Sequence, residues 1–253
     1  MAAYKAEFQY QYQQTNGSSF RSKAFAYNSK MNKLASYFPH VANAVFKNKT
    51  TSGALKKLMN VAPERNLPLL SEKTVHNYYR KFPHKTLHPV KKVYLFNDEF
   101  TNYLDSEVGI AALKLLRGLN YEVEIVKHAE SGRGFISKGF LKEAKSVANE
   151  NIRVFKPLLS DERPLLGLEP SALLTFRDEY LRLADDKEGA NKVSKNAILI
   201  DEFFKREILA GNISASAFTS EKKKIKLHGH CHQKALSNIE NTFAMLNLPQ
   251  NFE

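Results

Sequence analysis

From Lys91 onward the apolar positions switch between two periods. Val93–Phe96 is a short apolar run closed by the polar cluster Asn97, Asp98 and Glu99, which reads as a buried strand. Val108, Ala111, Leu115 and Leu119 then recur at helical spacing, with Asp105 or Ser106 placed to cap the start and Gly118 near the end. Tyr121, Val123 and Ile125 alternate with Glu122 and Glu124, the period of two that a strand requires. The loop Ser131-Gly132-Arg133-Gly134 leads into a helix carrying Leu141, Ala144 and Ala148. Pro164 precedes a strand predicted over Leu165–Leu168, and Pro170 suits the first turn of a helix running through Leu174 and Tyr180. A further helix is expected to hold Ile198, Phe203 and Ile208. A last strand, Ile225–Leu227, should run into His228-Gly229-His230-Cys231-His232 and a closing helix.

The chain before this point has another texture. Residues 1–90 are rich in Tyr, Asn, Gln and Lys, and Val41, Val45 and Phe46, then Leu55, Leu58 and Met59, are spaced as in helices. Pro63, Pro68, Pro83 and Pro89 punctuate the stretch, which favours an extended connector over a compact unit. The division expected is therefore a helical connector over 1–90, an α/β unit over 91–223, and the start of a second unit over 224–253. The βαβα order predicts an α/β fold with a parallel sheet covered by helices.

In such sheets ligands bind at the carboxyl ends of the strands. The loops there are Asn97–Glu99, Glu130–Arg133, Glu169–Ser171 and His228–His232. A faint internal echo supports the second unit: KKVYLFNDEFTNY (91–103) and KKIKLHGHCHQKA (223–235) align so that Leu95 matches Leu227 and Glu99 matches Cys231.

Composition narrows the chemistry. A hydrophobic share of 43% and a charged share of 25% are ordinary for a globular protein. No apolar run approaches the roughly 20 residues that cross a bilayer, and the N-terminus lacks the layout of a secretory signal. A cytoplasmic location is expected, with any contact at the inner membrane face made through partners. The net charge of +12 attracts polyanions. The basic residues read as spread along the chain, and the densest run, Lys222, Lys223 and Lys224, reads as a solvated strand entry rather than a nucleic-acid patch. Cys231 is the one cysteine, so a disulfide within the chain is excluded and a thiolate site needs ligands from elsewhere.

His228, His230, Cys231 and His232 form the densest group of potential ligands. On an extended segment the three histidines share one face and the cysteine takes the other. A polar loop whose histidines bond to the backbone is the alternative to a metal site, and catalysis by the Cys231 thiol needs a geometry that adjacent positions seldom give. Gly132-Arg133-Gly134 suits either an anion at exposed amides or a tight loop needing glycine. Glu169, Pro170 and Ser171 suffice as a helix start, followed by Arg177, Asp178 and Glu179 on a solvated or interface-facing helix.

Several strings together carry a resemblance: GLEPSALLTFRDEY (167–180), ESGRGFISKGFLKEAK (130–145), FNDEFTNY (96–103) and HGHCHQKAL (228–236). They resemble the C-terminal cysteine-rich (CCG) region of FAD-linked oxidases that carry iron–sulfur clusters, the D-lactate dehydrogenase and glycolate oxidase iron–sulfur group. One component of heterodisulfide reductase is a more distant member of the same set. KAEFQYQYQQTNG (5–17) and VAPERNLP (61–68) resemble the segment joining a ferredoxin-type module to that region.

The resemblance implies a modular enzyme that oxidises a 2-hydroxy acid at FAD and relays electrons through 4Fe–4S clusters. The cysteine-rich region would form two related α/β halves. It places family cysteines near Ser131 and at Ala172, where this chain has neither, and it matches Cys231 to a ligand of the second half. The CCG motif and the ferredoxin cysteines fall outside the sequence, so both ends read as cuts.

The expectation is thus an electron-transfer domain of such an oxidoreductase, inactive alone and holding no cofactor by itself. Flavin and ferredoxin-like domains or subunits would be its missing partners. Cys231 is a candidate cluster ligand in an incomplete site, and Glu130, Ser131, Gly132, Arg133, Glu169, Ser171, Arg177, His230 and His232 line the crevice or meet a partner. The alternative is a non-catalytic docking module for a split oxidase. Binding of nucleic acid through net charge is the third reading.

Overall fold

The computed structural model describes residues 2–252. Helices α1 (Ala2–Asn16), α2 (Phe20–Ala26), α3 (Asn28–Ala35), α4 (Pro39–Lys47), α5 (Lys49–Leu58) and α6 (Val75–Lys81) precede the first strand, as the spacing of Val41, Val45, Leu55 and Leu58 predicts. Then follow β1 (Lys92–Leu95), α7 (Glu99–Tyr103), α8 (Ser106–Gly118), β2 (Glu122–Glu124), α9 (Arg133–Ser137), α10 (Leu141–Phe155) and β3 (Leu165–Gly167). The remaining elements are α11 (Pro170–Leu173), α12 (Glu179–Leu183), α13 (Lys187–Asn196), β4 (Ala197–Leu199), α14 (Ile200–Leu209), α15 (Cys231–Leu236) and α16 (Glu240–Leu246).

The fold is α/β, with an all-parallel sheet ordered β2-β1-β3-β4. Its strands are apolar on both faces because helices cover both. In β1, Val93 and Leu95 pack with Leu113, Leu116, Tyr121 and Phe203 on one side. Tyr94, with Phe96 just beyond the strand, packs with Ile152, Phe155, Phe176 and Tyr180 on the other. The same alternation separates Leu165 from Leu166 and Ile198 from its two neighbours.

Several expectations change. Helix α8 buries Gly109, Ala112, Leu113 and Leu116, while Val108 and Leu115 face water at 57% and 39% exposure. The reason is close approach: a Cβ on Gly109 would lie 2.5 Å from Val75 and 2.8 Å from Thr101, so the small-residue face is the one that α6 and α7 can reach. Ile198 sits in β4 rather than in a helix, paired with Leu166. A three-residue apolar run buried on both sides gives no period to read.

The helix expected from Pro170 through Tyr180 breaks into α11, a 3-10 turn at Leu174–Phe176, and α12. Ile225–Leu227 forms no ladder; nearby there is only an isolated bridge, Lys223 with Phe252. Alternation without a pairing strand leaves extended chain. The echoed segments still agree at the helix start, where Glu99 and Cys231 are each the first helical residue, after caps Asp98 and His230.

Residues 231–246 are tied to the sheet domain by polar bonds. Gln233 and Thr242 both donate to the Asp201 carboxylate, and Ser237 donates to Glu202. The basic residues are spread along the chain, fourteen of the 38 lying in residues 1–90, but only three of the 26 Asp and Glu lie there, so residues 1–90 carry a net of +11 out of +12 for the whole chain.

Two stability outcomes follow. Gly109→Val should destabilise the protein by about 1–3 kcal/mol through overpacking against Val75 and Thr101; an unchanged urea midpoint would contradict the close approach. Asp201→Ala strips the acceptor from Gln233 and Thr242 and should cost about 1–3 kcal/mol. Hydrogen exchange should then quicken in α15 and α16 first, and uniform protection across the variant would argue against this tie.

Candidate functional site

Strand order reverses between β1 and β3, so the loops after these strands open a crevice at their carboxyl ends. After β1, Asp98 caps α7 by accepting from Phe100 N and Thr101 N at 2.9 Å each and from Thr101 Oγ1 at 2.7 Å. Burial, with the Glu99 charge alongside, pushes its carboxyl up to about 7. Glu99 is buried too. Its Oε2 accepts from Ser131 N at 2.8 Å and its Oε1 from Ser131 Oγ at 2.6 Å. Desolvation raises this carboxyl despite both bonds.

The loop after β2 is held from below. Asn151 of α10 accepts from Ala129 N and donates to Glu130 O and to the Tyr180 hydroxyl. Tyr180 in turn donates to Ser131 O at 3.0 Å. Gly132 adopts φ 71° at the turn into α9, a left-handed conformation that suits glycine. The loop therefore has a conformational reason for Gly132, and the Ser131 hydroxyl accepts from Arg133 N at 3.1 Å.

His128 is fixed as well: its Nε2 accepts from Asn97 N at 3.2 Å, and its Nδ1 lies 2.6 Å from Ala129 O. A carbonyl can only accept, so Nδ1 carries the proton. Burial lowers the imidazole to about 4 and keeps it neutral.

On the β3 side, Glu169 Oε2 accepts from Ser171 Oγ and Ala172 N at 2.6 Å each, and its Oε1 lies 3.7 Å from His230 Nε2. Arg133 Nη1 donates to Glu179 at 2.6 Å and lies 3.5 Å from His232 Nε2. Burial and the Arg133 charge lower the His232 pKa. The other Glu179 oxygen is buried and finds no hydrogen-bond partner among the described residues. His230 Nδ1 accepts from His232 N at 3.1 Å, the backbone-bonded state that the sequence offered as the alternative to metal binding.

The crevice thus brings together Ser131, Arg133, Glu169, Ser171, His230 and His232 from the expected set, and adds Glu99 and Glu179. Arg177 goes elsewhere. Its Nε donates to Ala197 O, and its guanidinium clasps Glu202 at 2.9 and 2.5 Å. Burial would raise Glu202, but this pair and the Ser237 hydroxyl outweigh it and hold the carboxyl below its usual range. Glu179, expected on a solvated or interface-facing helix, is buried within the chain, where α12 brings it to Arg133. Asn151 and His128 leave no signal in the sequence, since a lone polar residue on a helix face or in a loop has no period, and Tyr180 reads there only as a helix position.

Glu130 lies on the other side of the Glu99–Ser131 pair, where it takes the Ser29 hydroxyl of α3 and borders a cavity of about 750 Å³ that Asn97, Glu99 and His128 line together with Lys30, Lys33, His76, Tyr103 and Glu143. Burial and the Glu99 charge raise its carboxyl to about 7, opposed by Lys30.

The residues present do not fit an iron–sulfur cluster. Cys231 is exposed, the Ser131 hydroxyl is taken by Glu99, and buried Ala172 offers no donor. Multi-iron clusters are held mainly by several thiolates. Among the described residues no group of three or more His, Cys, Asp and Glu is arranged to hold a metal ion. No helix there is long and apolar enough to cross a membrane.

A pH dependence follows from Glu130. Its folded pKa lies above its unfolded value, so the native state binds the extra proton between about 4.5 and 7. The group's stabilising contribution is full below this window and lost as pH rises through it. Glu130→Gln should therefore gain stability relative to wild type as pH rises from 4.5 to 7. The gain is on the order of 1 kcal/mol, because water in the cavity screens the group. Parallel stability–pH curves for the two proteins would refute this.

No protein-family model matches the chain, and no solved structure matches it. Curated proteins do. The chain is 25% identical over 177 residues to the D-2-hydroxyglutarate dehydrogenase of Haemophilus influenzae, covering 66% of this chain and 16% of that protein. It is 26% identical over 163 residues to the D-2-hydroxyglutarate dehydrogenase of Pseudomonas putida, covering 62% and 15%. Against that of Escherichia coli it is 25% identical over 107 residues, covering 42% and 10%. The chain is a distant relative of one stretch of the D-2-hydroxyglutarate dehydrogenases, spanning under a fifth of their length.

Proposed function

We propose that this chain serves as an α/β electron-transfer-type domain within a larger FAD-linked 2-hydroxyacid dehydrogenase, its flavin and iron–sulfur chemistry supplied by other protein. The similarity to one stretch of the D-2-hydroxyglutarate dehydrogenases carries this reading, and the resemblance to cysteine-rich oxidase regions supports it. The substrate class follows from those relatives: a small 2-hydroxy acid of the D-2-hydroxyglutarate, D-lactate or glycolate kind. The strand-end crevice keeps its place in the fold, but buried polar pairs occupy it. Glu99 holds Ser131, one of the two positions (with Ala172) where the family resemblance expects a cysteine, and Arg133 pairs with Glu179 beside it. Such pairs hold loops in position and can meet a partner; they do not carry electrons.

A second reading, a docking module without redox function, is favoured by the basic N-terminal helices. Both readings make the purified chain inactive by itself. With D-2-hydroxyglutarate and an artificial electron acceptor it should show no reduction. After anaerobic reconstitution with iron and sulfide it should show no stoichiometric cluster absorbance, and Cys231→Ser should leave that result unchanged. Full occupancy by flavin or by a cluster on the chain alone would overturn the proposal.

A further inference from the structure

The N-terminal helices join high positive charge to exposed apolar side chains. Thirteen of the fourteen Lys and Arg in residues 1–90 are exposed, Lys56 being the exception. On α1, Tyr4, Phe8 and Tyr12 occupy successive turns at 81%, 71% and 56% exposure. The helix docks through other positions, with Ala6 buried and Gln13 donating to Lys138 O, so its aromatic ridge is left over after its own packing is complete. Leu34, Phe38 and Val41, at the end of α3 and the start of α4, are 72%, 72% and 64% exposed. Grouped exposed side chains of this size mark an interaction surface.

We infer that this surface docks a protein partner with an acidic rim around an apolar patch. The charge disfavours a second copy, since residues 1–90 of each copy carry a net of +11 and would repel. The side chains favour protein over nucleic acid. Tyr4, Phe8, Tyr12 and Phe38 offer ring surfaces that either kind of partner accepts, and the aliphatic Leu34 and Val41 tip the mixture toward the apolar centre of a protein interface. Eleven of the fourteen cations are lysine, which supplies steering charge more than the bidentate phosphate recognition typical of arginine. For the partner's identity alone the inference rests on the proposed function, which makes it the flavin-bearing protein of the dehydrogenase.

Photo-cross-linking in the native cell tests this. Benzoylphenylalanine replaces Phe8, Leu34 or Val41 in the full chain, with the 79% exposed Leu209 of α14 as control. The three N-terminal positions should capture one common polypeptide of acidic net charge, and Leu209 should not. Adding L34E and V41E to the Phe8 probe should cut the adduct at least about tenfold, with circular dichroism unchanged because both residues are exposed. High salt should weaken capture.

Adducts to a second copy, nuclease-sensitive capture, equal labelling from Leu209, or no adduct would overturn the docking surface. An acidic partner without flavin keeps the surface and removes the dehydrogenase reading. A flavoprotein captured solely through Leu209 does the reverse.

Discussion

Glu99 sits buried at the carboxyl end of β1, and a carboxyl group placed there has to find donors. Both of its oxygens are taken by Ser131, one by the amide and one by the hydroxyl, so the loops after β1 and β2 are joined at the point where the strand order reverses. Everything around the crevice depends on that join. Tyr180 and Asn151 support the Ser131 loop from beneath, and Gly132 lets the chain turn into α9. Arg133 is thereby aimed at Glu179 and His232. An unpaired buried carboxyl costs several times what a bond to it returns, which is why this pairing constrains its neighbours more than any apolar contact does.

The crevice is consequently rich in carboxyl groups and poor in sulfur. Asp98 and Glu130 are shifted upward by burial, and the nearby imidazole of His128 is shifted downward by the same cause. All three shifts favour neutral forms, as expected where burial strips solvent from a charged group. A cluster-binding crevice would collect thiolates; this one closes on itself with hydrogen bonds and ion pairs. The N-terminal segment has the opposite character: few acidic residues offset its cations, and exposed aromatic rings stand on its helices.

Much of the fold was legible in the chain. The strands at Val93–Phe96, Tyr121–Ile125 and Leu165–Leu168 were visible from period and punctuation, and so was the helical nature of the first ninety residues. The parallel sheet followed from element order. The strand-end loops were legible too, because polar clusters interrupt apolar runs there. The face of α8, the strand at Ile198 and the break after Phe176 were not. Each depends on what packs against the segment: Val75 and Thr101 against Gly109, Leu166 beside Ile198, Ala197 and Glu202 reached by Arg177.

The amino-acid sequence by itself determined the class of fold, the excess of positive charge and the limit of one thiol, because these follow from local period and from counting. Only the tertiary structure decided which polar groups meet. Glu99 with Ser131, Arg133 with Glu179 and Asp201 with Gln233 lie 32, 46 and 32 residues apart. Burial makes such distant partners necessary, and no local pattern records which ones the fold will bring together.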